Sequence, residues 1–257
     1  MVAEEGVIRL VTRGDDAGSC RTANVAIRDC AVRGILRNVS VLAVGPAVDH
    51  AARILRSCDG LCIGLHACIT AEWEEVKWGP VLPTKVVRSL VDRRGYFRRT
   101  VQELHERGVE CEELMAEVAA QLAVLRGLKL PVAYVDTHMG FEWLPGVRER
   151  MVAFAAREGL LYAPEAVRPL PRVEGHYSSS VAGVCASLAA AKPGTYALIG
   201  HPGYVRADMR RFGHKGYRDV ARDRDEQRRW FMDPAVLACC EAHRVKPIRY
   251  TDVGEKE

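Results

Sequence analysis

The 257-residue sequence predicts an α/β fold built as one parallel barrel of about seven strands, and three observations carry that expectation. Short β-branched, apolar runs alternate with segments whose apolar residues recur at helical spacing, the pattern of strand–helix units around a parallel sheet. Four of the strand-like runs close on polar signatures: Arg13-Gly14-Asp15-Asp16, Gly64-Leu65-His66, Asp136-Thr137-His138 and Gly200-His201-Pro202-Gly203. No Pro/Gly/Ser linker or internal repeat divides the chain, and α/β barrels reach this length as one domain. The expected unit is therefore a single domain over residues 1–257.

Each element follows from its own residues. Residues 7–12 are short and β-branched, hence a strand, and the Asp-Asp pair is expected to turn out of it. Ala23, Ala26, Ile27, Cys30 and Ala31 mark a helix that Gly34 stops. Residues 35–44 read as a strand, 47–56 as a short helix and 61–66 as the next strand. Residues 71–97 lack periodicity and hold Glu72, Trp73, Trp78, Pro80, Pro83, Tyr96 and Phe97, so a substrate-binding loop is expected there. Leu114, Val118, Leu122 and Leu125 define a helix stopped by Gly127 and Pro131. Strand 133–136, helix 147–157, strand 160–162, helix 178–191 and strand 196–199 follow, then a charged stretch 206–229, a helix 235–243 and a strand 248–251.

Composition excludes several classes. Apolar residues make up 48% and charged residues 27%, which rules out a mainly disordered chain. A net charge of +4 is too small to imply nucleic acid or membrane. Arginines in 206–229 are interleaved with Asp208, Asp219, Asp223, Asp225 and Glu226, which favours a solvated helix face or a homodimer contact over nucleic acid. No apolar run approaches the ~20 residues that span a bilayer, and residues 1–6 lack the basic and apolar parts of a secretion signal. Nine cysteines with no zinc-type pairing of pairs read as free thiols of a reduced, cytoplasmic protein.

The polar signatures carry the chemistry. The carboxyl ends of parallel barrel strands open on one face, so these residues can converge there. Asp16, His66 and His138 make a two-histidine, one-carboxylate set that leaves positions open on a divalent ion. Asp15 or Asp16 could instead cap the following helix. Asp136 could orient a histidine, and Gly64 would permit close backbone approach. His201 sits on a Pro-Gly turn and suits a proton donor. Trp73 and Trp78 could stack on sugar rings or cover the core. Imidazole-containing sites favour zinc, cobalt or nickel.

In order and spacing these motifs resemble the YdjC-like carbohydrate deacetylases, relatives of the broader polysaccharide deacetylases. The resemblance covers residues 11–18, 38–52, 63–70, 135–140, His201-Pro202-Gly203 and 248–252. It implies a distorted barrel, with Asp15 as general base, Asp16, His66 and His138 as metal ligands, and His201 as the late histidine. It also implies magnesium as the ion and an arginine matching Arg168, which joins Trp73, Trp78 and Tyr204 as expected substrate contacts. The implied reaction is metal-assisted removal of an N-acetyl group from an amino sugar or short oligosaccharide. Hydrolysis of another amide or a phosphate ester, or sugar binding without turnover, are the alternatives. Members commonly read Asn-Ala-Asp-Asp-Phe-Gly at the first motif, where Arg13, Gly14 and Ala17 stand here, and many carry a histidine where this chain has Gly140.

Overall fold

The computed structural model describes residues 6–174 and 180–254. Its centre is β1 (Ile8–Ala17), which pairs along residues 8–14 with β7 (Gly194–Gly200). The opposite edge of β1 is shared by two strands in tandem. There β8 (Val245–Ile248) pairs with residues 8–11, and β2 (Asn38–Val41) pairs with residues 13–17. Outward from β2 come β3 (Cys62–Ala67), β4 (Val132–Thr137) and the two-residue β5 (Leu161–Tyr162), while β6 (Arg168–Pro169) flanks β7. Every pairing is parallel. Among the described residues β5 and β6 do not pair with each other, so the barrel stays open between them.

One ion pair shows how tightly the sheet curls. β1 and β4 stand three strand positions apart, about 14 Å in a flat sheet at ~4.8 Å per strand. Yet Arg13 Nη1 of β1 lies 2.7 Å from Asp136 Oδ2 of β4. The inner face is closed at its base by a small apolar cluster of Val11, Cys62, Tyr134, Ala163, Ile248 and Tyr250. The outer face packs against the helices in the larger core. These are α1 (Arg21–Arg33), α2 (Val48–Leu55), α3 (Val101–Arg107), α4 (Cys111–Gly127), α5 (Val147–Glu158), α6 (Val181–Ala190), α7 (Val220–Met232) and α8 (Pro234–Ala242).

Several boundaries differ from the sequence reading, for physical reasons. β1 runs five residues past the expected end, because β7 pairs with it up to Gly14 and β2 pairs with it again at Ala17, beyond the two aspartates. The aspartates therefore sit within a strand whose register against β2 shifts between Gly14 and Ala17, not on a turn. Neither caps the next helix; the Cys20 sulfur does so, accepting from Ala23 N at 3.4 Å. α3 and β6 were not foreseen. The charged stretch forms α7, and one face of it is buried through Val220, Ala221, Arg224, Gln227, Trp230 and Phe231. The start of the helix expected at 178 and His176 lie outside the described residues. All nine cysteines are free thiols.

Gly64 has a use the sequence did not reveal. A Cβ on it would lie 2.2 Å from Tyr134 Cε2, so the missing side chain lets the Tyr134 ring cross the inside of the sheet. That ring is fully buried, stacks near Tyr250 at 4.6 Å between centroids and reaches Ser40 Oγ at 2.9 Å. Gly64→Ala should therefore lower stability by about 1–3 kcal/mol, the usual cost of overpacking. Denaturant melting measures this, and an unchanged midpoint would contradict the packing.

Candidate functional site

The site is built where β1, β3 and β4 end. Asp16 adopts φ 64°, a left-handed conformation uncommon for a residue with a side chain. Together with the register shift in β1, this lets adjacent acids face different neighbours. Asp16 Oδ1 lies 3.6 Å from His66 Nε2 and 3.3 Å from His138 Nδ1, and the two imidazole nitrogens are 3.3 Å apart. Neighbouring ligands on an ion with ~2.1 Å bonds are separated by about 3.0–3.4 Å, so the triangle has the size of one coordination face. Asp16 Oδ1 is buried and has no hydrogen-bond partner. An orphaned carboxylate oxygen between two imidazoles is costly unless a cation answers it.

Each histidine is held from behind. His66 Nδ1 meets Asp136 Oδ1 at 2.7 Å, and His138 Nε2 meets Glu72 Oε2 at 3.2 Å. Carboxylates on the distal ring nitrogens point the others at a common centre, as second partners of metal-bound histidines do. Burial works against charge on His138, but Glu72, Cys68 and Asp16 outweigh it and raise its pKa well above the usual imidazole value. Burial likewise opposes ionisation of Asp16. The close approach of His138 and the charges of Arg224, His138 and His66 overcome it and hold the carboxyl far below its ordinary range. The residues thus fit a divalent cation.

Asp15 belongs to an adjoining group centred on Arg13. Its two carboxylate oxygens accept from Arg13 Nε at 2.7 Å and Arg13 Nη2 at 2.8 Å, a bidentate fork. Arg13 also pairs with Asp136 and donates to Tyr250 Oη at 3.2 Å. Burial raises the Asp15 carboxyl above its usual value, with Arg13 and His66 pulling against it and Asp136 adding to it. Asp15, His66 and Asp136 also cluster closely enough for an ion. The Arg13 guanidinium already supplies the positive charge between those two acids.

A cavity of about 800 Å³ opens over both groups, lined in part by Asp15, Asp16, His138, His201, Trp73 and Arg224. His201 is half-buried there, on the turn after β7. Arg224 Nη2 donates to Asp16 Oδ2 at 3.1 Å and lies over the Trp73 ring. Trp73 is only 4% exposed and packs against Phe212, His214 and Tyr217, so it forms a wall instead of an open platform.

Three expected substrate contacts fall elsewhere. Trp78 is also only 4% exposed, donates its Nε1 hydrogen to Thr70 O at 2.7 Å and packs edge-on behind His138. Arg168 lies exposed on β6, stacked over Tyr196 near the start of β7 and remote from the strand ends. Tyr204 donates to Asp29 Oδ2 at 2.7 Å and lines a different hollow with Arg21 and Arg206. The arginine beside Asp15 is Arg13, whose signal was its position two residues earlier on the same strand face. Arg224 and Gln227, three apart on α7, carried a helical-face signal hidden by the surrounding charges. Glu72 lay in a loop without periodicity.

A family model described as YdjC-like protein matches residues 9–242. Among curated proteins, the chain is similar to a carbohydrate deacetylase of Thermoanaerobacter pseudethanolicus, 26% identical over 129 residues, 50% of this chain and 49% of that one. It is 26% identical over 155 residues to a chitooligosaccharide deacetylase of Escherichia fergusonii, covering 59% of this chain and 57% of that one. A carbohydrate deacetylase of Danio rerio is 29% identical over 166 residues, 63% of this chain and 51% of that one. The matches thus span about half the length of these curated relatives. A solved Enterococcus faecalis structure, of a protein named for cellobiose-phosphate cleavage, superposes with TM-score 0.76 at 19% identity. The superposition covers 96% of this chain and 99% of that one, a likeness of fold.

The geometry predicts that zinc or cobalt binds at one equivalent per chain and that His66→Ala abolishes binding. Because the raised pKa of His138 makes protons compete for its ring nitrogen, affinity should weaken as pH falls, with proton release on binding. Calorimetry in two buffers of different ionisation enthalpy reads both, and pH-independent affinity would contradict the arrangement. Arg13→Met should cost about 3–5 kcal/mol in denaturant melts, since it leaves two buried carboxylates without their cation.

Proposed function

The chain belongs to the YdjC-like family, and on that premise we propose that it is a metal-dependent hydrolase removing N-acetyl groups from an amino sugar or short, chitooligosaccharide-like sugar. The observation that carries the proposal is the unpartnered Asp16 oxygen facing two oriented imidazoles, with a second, independently held carboxylate one residue away. The names of the curated relatives support the substrate class. The 800 Å³ cavity has the size of a small-ligand site.

Asp16, His66 and His138 would hold the ion. A divalent cation there supplies Lewis-acid charge to the acetamide and makes a neighbouring water more acidic. Which cation the protein uses belongs to the same proposal: magnesium follows from the family, and the two imidazoles favour zinc, cobalt or nickel.

Asp15 takes the proton from the attacking water. Its fork to Arg13 fixes the carboxylate's direction, so the base is presented without a search over rotamers. Burial raises its affinity for that proton, which suits a general base more than an ordinary surface carboxylate would. His201 donates a proton to the departing amine, so that the sugar leaves as a neutral amine and not as a strongly basic anion. Separate carboxylate and imidazole groups give the reaction a base and an acid at the same moment.

Acetate release from mono- to tetrasaccharides of N-acetylglucosamine tests the proposal. Asp15→Asn should retain metal and lose turnover by at least about 10²-fold. Release of phosphate from sugar phosphates with no acetate from any acetylated sugar would overturn the substrate class. Asp15 must be ionised to act, so activity falls as pH drops through its raised pKa. Arg13 lowers that pKa, so Arg13→Met should move the acid limb of kcat/KM to higher pH. A limb unmoved or shifted downward would contradict the assignment.

A further inference from the structure

We infer that Gln227, anchored by Asp223, fixes His201 as the tautomer carrying its hydrogen on Nδ1, which makes Nε2 the atom that hands a proton to the departing nitrogen. The inference rests on the proposed role of His201 and adds a positioning residue to it.

One atom of Gln227 decides the matter. Gln227 Oε1 lies 2.7 Å from the backbone nitrogen of His201 and 3.0 Å from its Nδ1. A backbone N–H can only donate, so the Gln227 atom facing it must be the carbonyl oxygen. That removes the usual ambiguity between amide oxygen and nitrogen. A carbonyl oxygen can only accept, so Nδ1 must carry a hydrogen to share the contact. In the neutral ring the lone pair is then left on Nε2.

The far end of the amide gives the same orientation independently. Gln227 Nε2 donates to Asp223 Oδ2 at 2.6 Å, and the Tyr217 hydroxyl donates to the same oxygen. A carboxylate accepts only, so the amide cannot turn over without losing both ends. Asp223 and Gln227 are four residues apart on one face of α7. The turn after β7 is tied to that helix a second time, by Gly203 N donating to Arg224 O at 3.0 Å. Gly203 permits the approach, since a Cβ there would lie 3.0 Å from Arg224 Cβ.

The chemistry follows with its atoms balanced. In the acid form both ring nitrogens carry hydrogen. As the C–N bond breaks, its electron pair moves to nitrogen, which takes the hydrogen from Nε2. His201 is left neutral, with Nδ1–H still on Gln227 Oε1, and no rearrangement of the ring is needed. A Gln–Asp pair thus does for the acid what Arg13 does for the base.

Long-range ¹H–¹⁵N NMR of the full chain, above the imidazole titration, reads the tautomer directly; His201→Asn assigns the signal. The wild type should show Nδ1–H at His201, and Gln227→Met should release the ring to a mixture of tautomers or to Nε2–H. In acetate release, Gln227→Met should lower kcat by about 10²-fold with KM little changed, the lower end of what general-acid help supplies. Nε2–H in the wild type, or a tautomer and kcat unaltered by Gln227→Met, would overturn the inference. Because the tautomer is read without turnover, a chain that shows Nδ1–H but releases no acetate bears out the positioning and overturns only the substrate reading.

Discussion

The guanidinium of Arg13 is the interaction on which the rest of the site depends. It stands inside the curled sheet, on the central strand, and pairs with two buried carboxylates from β1 and β4 at once. One of them, Asp15, is the proposed base; the other, Asp136, uses its remaining oxygen to aim His66. A single cation therefore couples the direction of the Asp15 carboxylate to that of the His66 ring. Buried carboxylates this close repel each other strongly unless a cation sits between them, and the sheet could not hold both charged otherwise.

Two supports surround that centre. Below it, Tyr134, Tyr250 and Ser40 fill the inside of the sheet, with Gly64 making room and Ser40 donating to Asp136 at 2.6 Å. Beside it, α7 supplies Arg224 to Asp16 and Gln227 to His201, so one helix steadies a proposed ligand and the proposed acid. Asp16 at φ 64° and Met139 at φ 60°, just past His138, store local strain of roughly 1–3 kcal/mol each, which the surrounding packing must offset. Strain at one proposed ligand and beside another is what a site needing fixed directions shows.

The alternation of strands and helices was legible because each strand is short, apolar and closed by glycine or a polar signature. Asp15, Asp16, His66, His138 and His201 all line one cavity, as their positions at strand ends implied. What escaped the sequence depends on tertiary contact. Arg13 read as a departure from the family motif, because nothing local says that Asp136 would stand across from it. Glu72 reaches His138 from an aperiodic loop, and Arg224 hides among unpaired-looking arginines on a helix with few apolar residues. The sequence left Trp73 and Trp78 open between stacking on sugar rings and covering the core, because burial depends on distant neighbours; both are buried. Arg168 matched by position after a strand, but it stands in register with Tyr196, early in β7 and short of the strand end that carries His201.

The central claim is that one divalent ion is held by Asp16, His66 and His138. X-ray absorption at the zinc edge of the singly loaded chain tests it most directly. The account predicts a shell containing two imidazole nitrogens and carboxylate oxygen, with the imidazole scattering signature halved in His138→Ala. A shell without imidazole, or with sulfur from the free cysteines, would contradict it.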